Sequence, residues 1–206
     1  VKAYCISGLG ADHRVYENLE LKYEKVHLHW IKPLEGESLK DYAIRLSENI
    51  NQDEDYVIIG VSFGGLIAVE ISKILKPKLT VLISTIEKSD ELPFQYRIFR
   101  KMNFLKLLPP SFFNLPPFIA SILFGTKNPL LRVILQDSDL NFTKWAILSL
   151  LRWTNSVSIE NSLKINGTSD LILSSPRSDF YIEKGHHFMI VDRAEEIGKI
   201  INLYRK

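Results

Sequence analysis

Short apolar runs alternate with amphipathic stretches over the first 86 residues. Residues 3–6 (AYCI) form an apolar run stopped by Ser7-Gly8-Leu9-Gly10, which reads as a short strand ending in a turn. The stretch from about 15 to 21 then predicts the start of a helix, and KVHLH at 25–29 a second strand, with Pro33 and Gly36 marking the loop after it. In LKDYAIRLSENI, Leu39, Tyr42, Ala43, Leu46 and Ile50 recur at helical spacing, and Ser38 stands where an N-cap belongs. Residues 56–59 are apolar throughout, as a parallel strand covered on both faces requires. The helix LIAVEISKILK follows, closed by Pro77, and 79–83 is a fourth strand. Strand and helix thus alternate, and a parallel sheet with helices on both faces is the economical reading.

The alternation stops near residue 87. From there to about 156 no strand pattern is evident. LPFQYRIFRKMNFLKLLPPSFFNLPPFIASILFG is rich in Phe, Leu and Pro, while LLRVILQDSD and NFTKWAILSLLRW read as helices, with Asn141 or Thr143 as candidate cap of the second. The segment is too long for an ordinary connection. Pro109, Pro110, Pro116 and Pro117 divide it into short pieces. Strands near 163–166 and 179–182 and the closing helix AEEIGKIINLY then restore the pattern. The expectation is a three-layer α/β/α sandwich with a mostly parallel sheet of about six strands. Its core spans 1–86 and 157–206, and 87–156 forms a helical cap insertion.

Gly60-Val61-Ser62-Phe63-Gly64-Gly65 lies between an apolar strand and a helix. G-x-S-x-G in that context is a nucleophile elbow: the glycines let strand and helix approach closely, and the turn presents the serine oxygen at the carboxyl edge of the sheet. The helix N-terminus after it favours developing negative charge. A serine hydroxyl needs a base, and His13, His27, His29, His186 and His187 are on offer. His27 and His29 alternate with Leu28 on a strand and read as packing or groove residues, and His13 follows the first turn. His186 and His187 follow the last strand, at the edge that presents Ser62, and one of them is expected to be the base. Asp170, after the penultimate strand, shares that edge and suits the group that orients the imidazole. Asp192 is expected to cap or solvate the last helix. Glu87 and Asp90, after the fourth strand, are reserve acids.

The segments CISGLG, VIIGVSFGGLIA, KINGTSDLIL and YIEKGHHFMIV together resemble the α/β-hydrolase superfamily, in its small capped serine-hydrolase branch, over about 1–86 and 157–206. The resemblance implies a triad of Ser62, Asp170 and His187, in the family's chain order. Many relatives read G-G-H-F-M where this chain has Gly185-His186-His187-Phe188-Met189, which makes His187 the base and puts His186 in place of a glycine. It also implies an oxyanion hole from the backbone N–H groups of Leu9 and Phe63. The family's H-G-x-G reads Ser7-Gly8-Leu9-Gly10 here, so a histidine is lost while the amides remain. A dinucleotide site at Gly8-Leu9-Gly10 is disfavoured, because His13 stands at the third glycine and the second strand ends in His29-Trp30 rather than an acid. Two departures from the family pattern stand out. The usual antiparallel strand pair before the first parallel strand is absent, and only 17 residues separate Asp170 from His187, which leaves little room for a helix.

Composition narrows the classes. Of 206 residues 46% are hydrophobic and 24% charged, which excludes a disordered, collagenous or coiled-coil chain and allows a sizeable core. The net charge of +2 gives no field for steering a polyanion, so no nucleic-acid partner is expected. A single cysteine, Cys5, allows no internal disulfide and fits a reducing compartment, so a cytoplasmic location is expected. No signal peptide is visible, and no run reaches the ~18 apolar residues of a membrane span. Within 87–156, Lys88, Arg97, Arg100, Lys101, Lys106, Lys127, Arg132, Lys144 and Arg152 outnumber Asp90, Glu91, Asp137 and Asp139, a pattern that suggests peripheral contact with anionic lipid. There is no CxxC or HExxH, and no metal or cofactor is expected. The expected activity is a cofactor-independent serine hydrolase acting on a small-molecule carboxylic ester or thioester with an apolar acyl or aryl group, through an acyl-enzyme. The alternatives are an inactive binding protein on the same fold, and an acyltransferase or carbon–carbon hydrolase using the same triad.

Overall fold

Six parallel strands make one sheet: β1 (Lys2–Ile6), β2 (Glu24–His27), β3 (Tyr56–Val61), β4 (Leu79–Ile83), β5 (Ser162–Gly167) and β6 (Phe180–Ile182), in the order β2-β1-β3-β4-β5-β6. The computed structural model describes residues 1–100 and 102–204, apart from the side chains of Arg97 and Asn103. Register aligns Cys5 with Ile59, Ile59 with Val81 and Val81 with Leu163. Side chains alternate between the faces of a strand, so each face of the sheet needs its own cover. On one face Tyr4, Ile58 and Leu82 pack with Tyr42 and Leu46 of α1 (Leu39–Ser47) and Leu66 and Ile67 of α2 (Phe63–Leu75). On the other, Cys5, Ile59, Val81 and Leu163 pack with Val15, Tyr16 and, from the C-terminal helix, Ile197 and Ile201. The result is a three-layer α/β/α sandwich with a helical insertion.

The insertion between β4 and β5 is a series of short elements. They are α3 (Phe94–Phe99), α4 (Pro117–Phe124), α5 (Pro129–Asp137) and α6 (Leu140–Arg152), with 3-10 turns at Ser89–Glu91, Asn103–Leu107 and Pro110–Phe113. Proline occupies the first position of α4 and of α5, where its missing N–H costs nothing. Of the basic residues counted in this segment, Lys101 and the side chain of Arg97 lie outside the described residues. Among the described residues no helix is long and apolar enough to cross a membrane.

Several elements differ from the sequence expectation. The helix expected from about 15 is only a 3-10 turn, His13–Tyr16, capped by Asp12. The Lys25 ammonium donates to the carbonyl oxygens of Tyr16 and Leu19 at 2.7 and 2.9 Å, the acceptors a longer helix would use. β2 ends at His27, so His29 lies beyond it. The cap of α6 is Asp139, which accepts from the backbone N–H of Asn141 at 2.8 Å and of Phe142 at 3.4 Å. The helix therefore starts before either expected cap, Asn141 or Thr143. Beyond β6 the chain forms α7 (Met189–Asp192) and α8 (Ala194–Leu203). Asp192 is exposed at the end of α7, 3.5 Å from the Asn128 amide, and Arg193 holds the N-cap position of α8. Asp192 therefore does not cap that helix.

Candidate active site

Four loops at the carboxyl edge of the sheet surround Ser62. The first is its own turn between β3 and α2. Ser62 has φ 53° and ψ −122°, a conformation that a non-glycine residue adopts only under constraint. The constraint is visible. The Ser62 N–H donates to the Ile83 carbonyl at 3.0 Å, and the Ser62 carbonyl accepts from the Gly65 N–H at 2.9 Å and from the Thr85 hydroxyl at 2.7 Å. A Cβ at Gly60 would lie 2.6 Å from the Gly64 carbonyl oxygen, and one at Gly64 would lie 2.1 Å from that of Ser7. The motif's glycines are thus set by strand, helix and first loop crowding together.

The loop after β6 brings His187, and the loop after β5 brings Asp170. His187 Nε2 is 2.8 Å from Ser62 Oγ, and His187 Nδ1 is 2.8 Å from Asp170 Oδ2. A carboxylate can only accept, so Nδ1 carries the proton and Nε2 is left to accept from the serine hydroxyl. The other Asp170 oxygen accepts from the backbone N–H groups of Ile172 at 2.8 Å and Leu173 at 3.1 Å, which fixes the carboxylate. All three side chains are buried, and the Phe124 ring stands edge-on to His187 with centroids 5.3 Å apart. His186 turns elsewhere: its Nδ1 meets the Ser169 carbonyl at 3.1 Å, and its ring lies against Gly125.

The fourth loop follows β1. A Cβ built on Gly8 would be 3.4 Å from the Ser62 Cβ, so this loop passes directly over the serine. Leu9 and Phe63 both line the cavity around Ser62. Among the described residues neither backbone N–H donates to another group of the chain. Ser7 donates its hydroxyl to the Ala11 carbonyl at 2.7 Å, and Trp30 Nε1 donates to the same oxygen at 2.9 Å. Ser138, at the end of α5, donates to the Gly10 carbonyl at 3.1 Å. The loop is therefore pinned by the side chain of its own first residue and by others from the segment after β2 and from the insertion. Only Ser7 stood out in the sequence, as a departure. Trp30, Thr85 and Ser138 carry no motif, and their contacts span many residues.

The remaining candidates lie elsewhere. Glu87 is buried, where it accepts from the Ile159 N–H at 2.8 Å and pairs with Lys164 at 3.0 Å. Asp90 pairs with Arg177 at 2.9 Å. His13, His27 and His29 gather around a separate cavity of about 20 Å³. Burial, and then the charges of His13, Lys25 and His29, lower the pKa of His27, with Asp12 opposing. Cys5 is buried beside this cavity, and burial pushes its thiol up to about 12, which leaves it unreactive. Among the described residues no group of three or more His, Cys, Asp or Glu side chains is arranged to hold a metal ion.

Ser62 and His187 open into a cavity of about 390 Å³, roofed by the insertion through Phe112, Phe113, Leu123, Phe124, Ile134, Ala146 and Leu150. Among the described residues no Asp, Glu, Lys or Arg lines it. Its few polar groups include Tyr96, whose pKa is raised above the ordinary tyrosine value by burial and secondarily by the charge of Asp170.

The architecture is the α/β-hydrolase fold. A lipase-esterase related protein from Clostridium acetobutylicum superposes with a TM-score of 0.70 at 17% identity, covering 97% of this chain and 92% of that one. ClbQ from the colibactin NRPS/PKS pathway gives 0.67 at 16% identity, with 98% and 95% covered. The RedJ thioesterase from the prodiginine biosynthetic pathway of Streptomyces coelicolor gives 0.64 at 11% identity, with 96% and 84% covered. At these identities the likeness establishes architecture. No protein-family model matches the sequence, and no curated protein matches it.

Proposed function

We propose that this chain is a cofactor-independent serine hydrolase that cleaves a carboxylic ester or thioester with an apolar acyl or aryl group. The observation that carries the reading is the Ser62–His187–Asp170 chain of two 2.8 Å contacts at the floor of an uncharged apolar cavity. Residues 1–86 and 157–206 act as the catalytic core and 87–156 as the cap that shapes the substrate site.

Ser62 Oγ attacks the substrate carbonyl carbon while His187 Nε2 takes its proton. Asp170 holds the imidazole in place and stabilises the imidazolium that forms. The carbonyl oxygen, now anionic, accepts from the Leu9 N–H in the first loop and from the Phe63 N–H at the N-terminus of α2. As the tetrahedral intermediate collapses, His187 returns the proton to the departing alcohol or thiol and the acyl group stays on Ser62. Water, deprotonated by His187, then releases the acid and restores the serine. The cavity wall favours the reaction by burying the acyl chain, up to ~0.8 kcal/mol for each matched methylene.

Two measurements test this. A fluorophosphonate should label the wild-type protein and leave Ser62→Ala unlabelled. Steady-state kinetics on p-nitrophenyl esters from acetate to decanoate should show efficiency rising with chain length until the cavity is full. Absence of labelling would remove the nucleophile, and efficiency falling beyond acetate would show that the cap residues are core rather than pocket.

A further inference from the structure

The insertion carries bulky apolar residues on its outside as well as its inside. Phe94, Leu107 and Phe118 are 73%, 86% and 77% exposed, and Phe104 and Ile122 are more than half exposed. They lie on α3, the turn Asn103–Leu107 and α4, and none of the five lines the cavity at Ser62. Single exposed apolar residues are ordinary, but this density within 94–122 marks a contact surface.

The charges of the same segment are one-sided. Its acids are engaged within the fold: Asp137 pairs with Arg14 at 2.8 Å, Asp90 pairs with Arg177, Glu91 bonds the Ser175 hydroxyl and Asp139 caps α6. Lys106, Lys127 and Arg132 are exposed, and among the described residues none of them pairs with a carboxylate. Two of these cations meet the apolar surface at one place. A groove of about 420 Å³ is lined by Phe118, Lys127 and Arg132, with Leu131 and Leu135 of α5 as its inner wall. The same two leucines line the cavity at Ser62, so α5 stands between the groove and the reaction site.

We propose that this outer face of the insertion docks on a bilayer surface containing anionic phospholipid. Phe94, Leu107 and Phe118 enter the acyl boundary, while Lys106, Lys127 and Arg132 meet lipid phosphates. Charge complementarity selects an anionic surface, since zwitterionic lipid alone leaves the cations without net countercharge. The apolar residues are spread over three short elements, which a fluid surface can accommodate. A folded partner would need a complementary relief. The binding itself does not depend on the hydrolase reading.

The test is co-sedimentation of the full chain with phosphatidylcholine vesicles made with and without phosphatidylglycerol, at low and high salt. Binding is expected with the anionic vesicles, weakened by salt, and about tenfold or more below that on phosphatidylcholine alone. The pair Leu107→Ser with Phe118→Ser, and the pair Lys127→Glu with Arg132→Glu, should each lose about tenfold or more of the binding. Both should keep wild-type circular dichroism and wild-type turnover of a short water-soluble ester. Ser62→Ala should bind vesicles as wild type does, so loss of catalysis and loss of docking are separable. No vesicle binding at low salt overturns the proposal. So does binding that survives the serine pair but not the charge reversal, which would be electrostatic attraction without entry of the apolar residues. Self-association abolished by the serine pair without vesicle binding would assign the face to contacts between copies.

Discussion

Ser62→Ala removes one hydroxyl from a turn that other groups hold, since the Ser62 backbone is tied to Ile83 and Thr85. Thermal stability should therefore change little while kcat falls on the order of 10⁴-fold or more. His187→Ala should cost a similar factor, because the members of the proposed triad would act as a unit. His186→Ala should keep activity within a few-fold, since its ring is bonded to the Ser169 carbonyl. An inactive His186→Ala beside an active His187→Ala would move the base by one residue. A second residue-scale prediction concerns His27, whose Nδ1 is buried without a partner and whose pKa is lowered, first by burial. The unfolded chain therefore binds the proton more readily than the folded one. Stability is complete above the ordinary histidine value of about 6.5 and declines as pH falls through it. Urea midpoints at about pH 7.5 and 5.5 should show the decline, and it should shrink in His27→Gln.

At the scale of elements, α6 both caps the sheet and walls the cavity. Ala146 is fully buried, packs in the core beside Phe63 and Leu66, and faces the cavity. Ala146→Phe should fill the space that a long acyl chain would occupy. Efficiency on the decanoate ester should fall about tenfold or more relative to the acetate ester, as kcat/KM across the ester series will show. If both esters respond alike, Ala146 does not face the acyl group. The helical nature of α6 was readable from its apolar spacing, but its start was not. Asp139 caps it with a geometry that the candidates Asn141 and Thr143 equally allowed by composition. The missing helix after β1 shows the opposite case: Val15 and Leu19 have helical spacing, yet Lys25 from the next strand takes the carbonyls.

Across the whole molecule, Glu87 links the end of β4 to β5 and to the return from the insertion. Its carboxylate meets Lys164 and the Ile159 N–H, and its carbonyl accepts from the Asn155 amide. Glu87→Ala leaves the partly buried Lys164 without its partner and the Ile159 N–H without its acceptor, a loss of about 1–3 kcal/mol. Urea denaturation should read that loss, with Glu87→Gln losing less. At temperatures where the variant remains folded, kcat should be near that of wild type, because Glu87 takes no part at Ser62. A collapse of kcat in folded Glu87→Gln would return it to the list of catalytic acids.

The sequence by itself determined the alternation of strands and helices, the elbow at Ser62 and the interruption near residue 87. Apolar period and glycine turns are local properties, and a buried parallel strand leaves its mark in four to six consecutive residues. The residues alone left either histidine open as the base, and three acids open beside it. The tertiary structure brings His187 and Asp170 to Ser62, and leaves His186, Glu87 and Asp90 with other partners. Strand order carries β3, β5 and β6 to one edge, so groups 125 and 17 residues apart in the chain meet at 2.8 Å. It also decided that Glu87 serves Lys164, and that Ser7 and Trp30 share the Ala11 carbonyl. It divided the insertion's apolar residues between a cavity wall and an exposed face. None of these follows from local pattern, because a side chain's partner depends on where the rest of the chain has been placed.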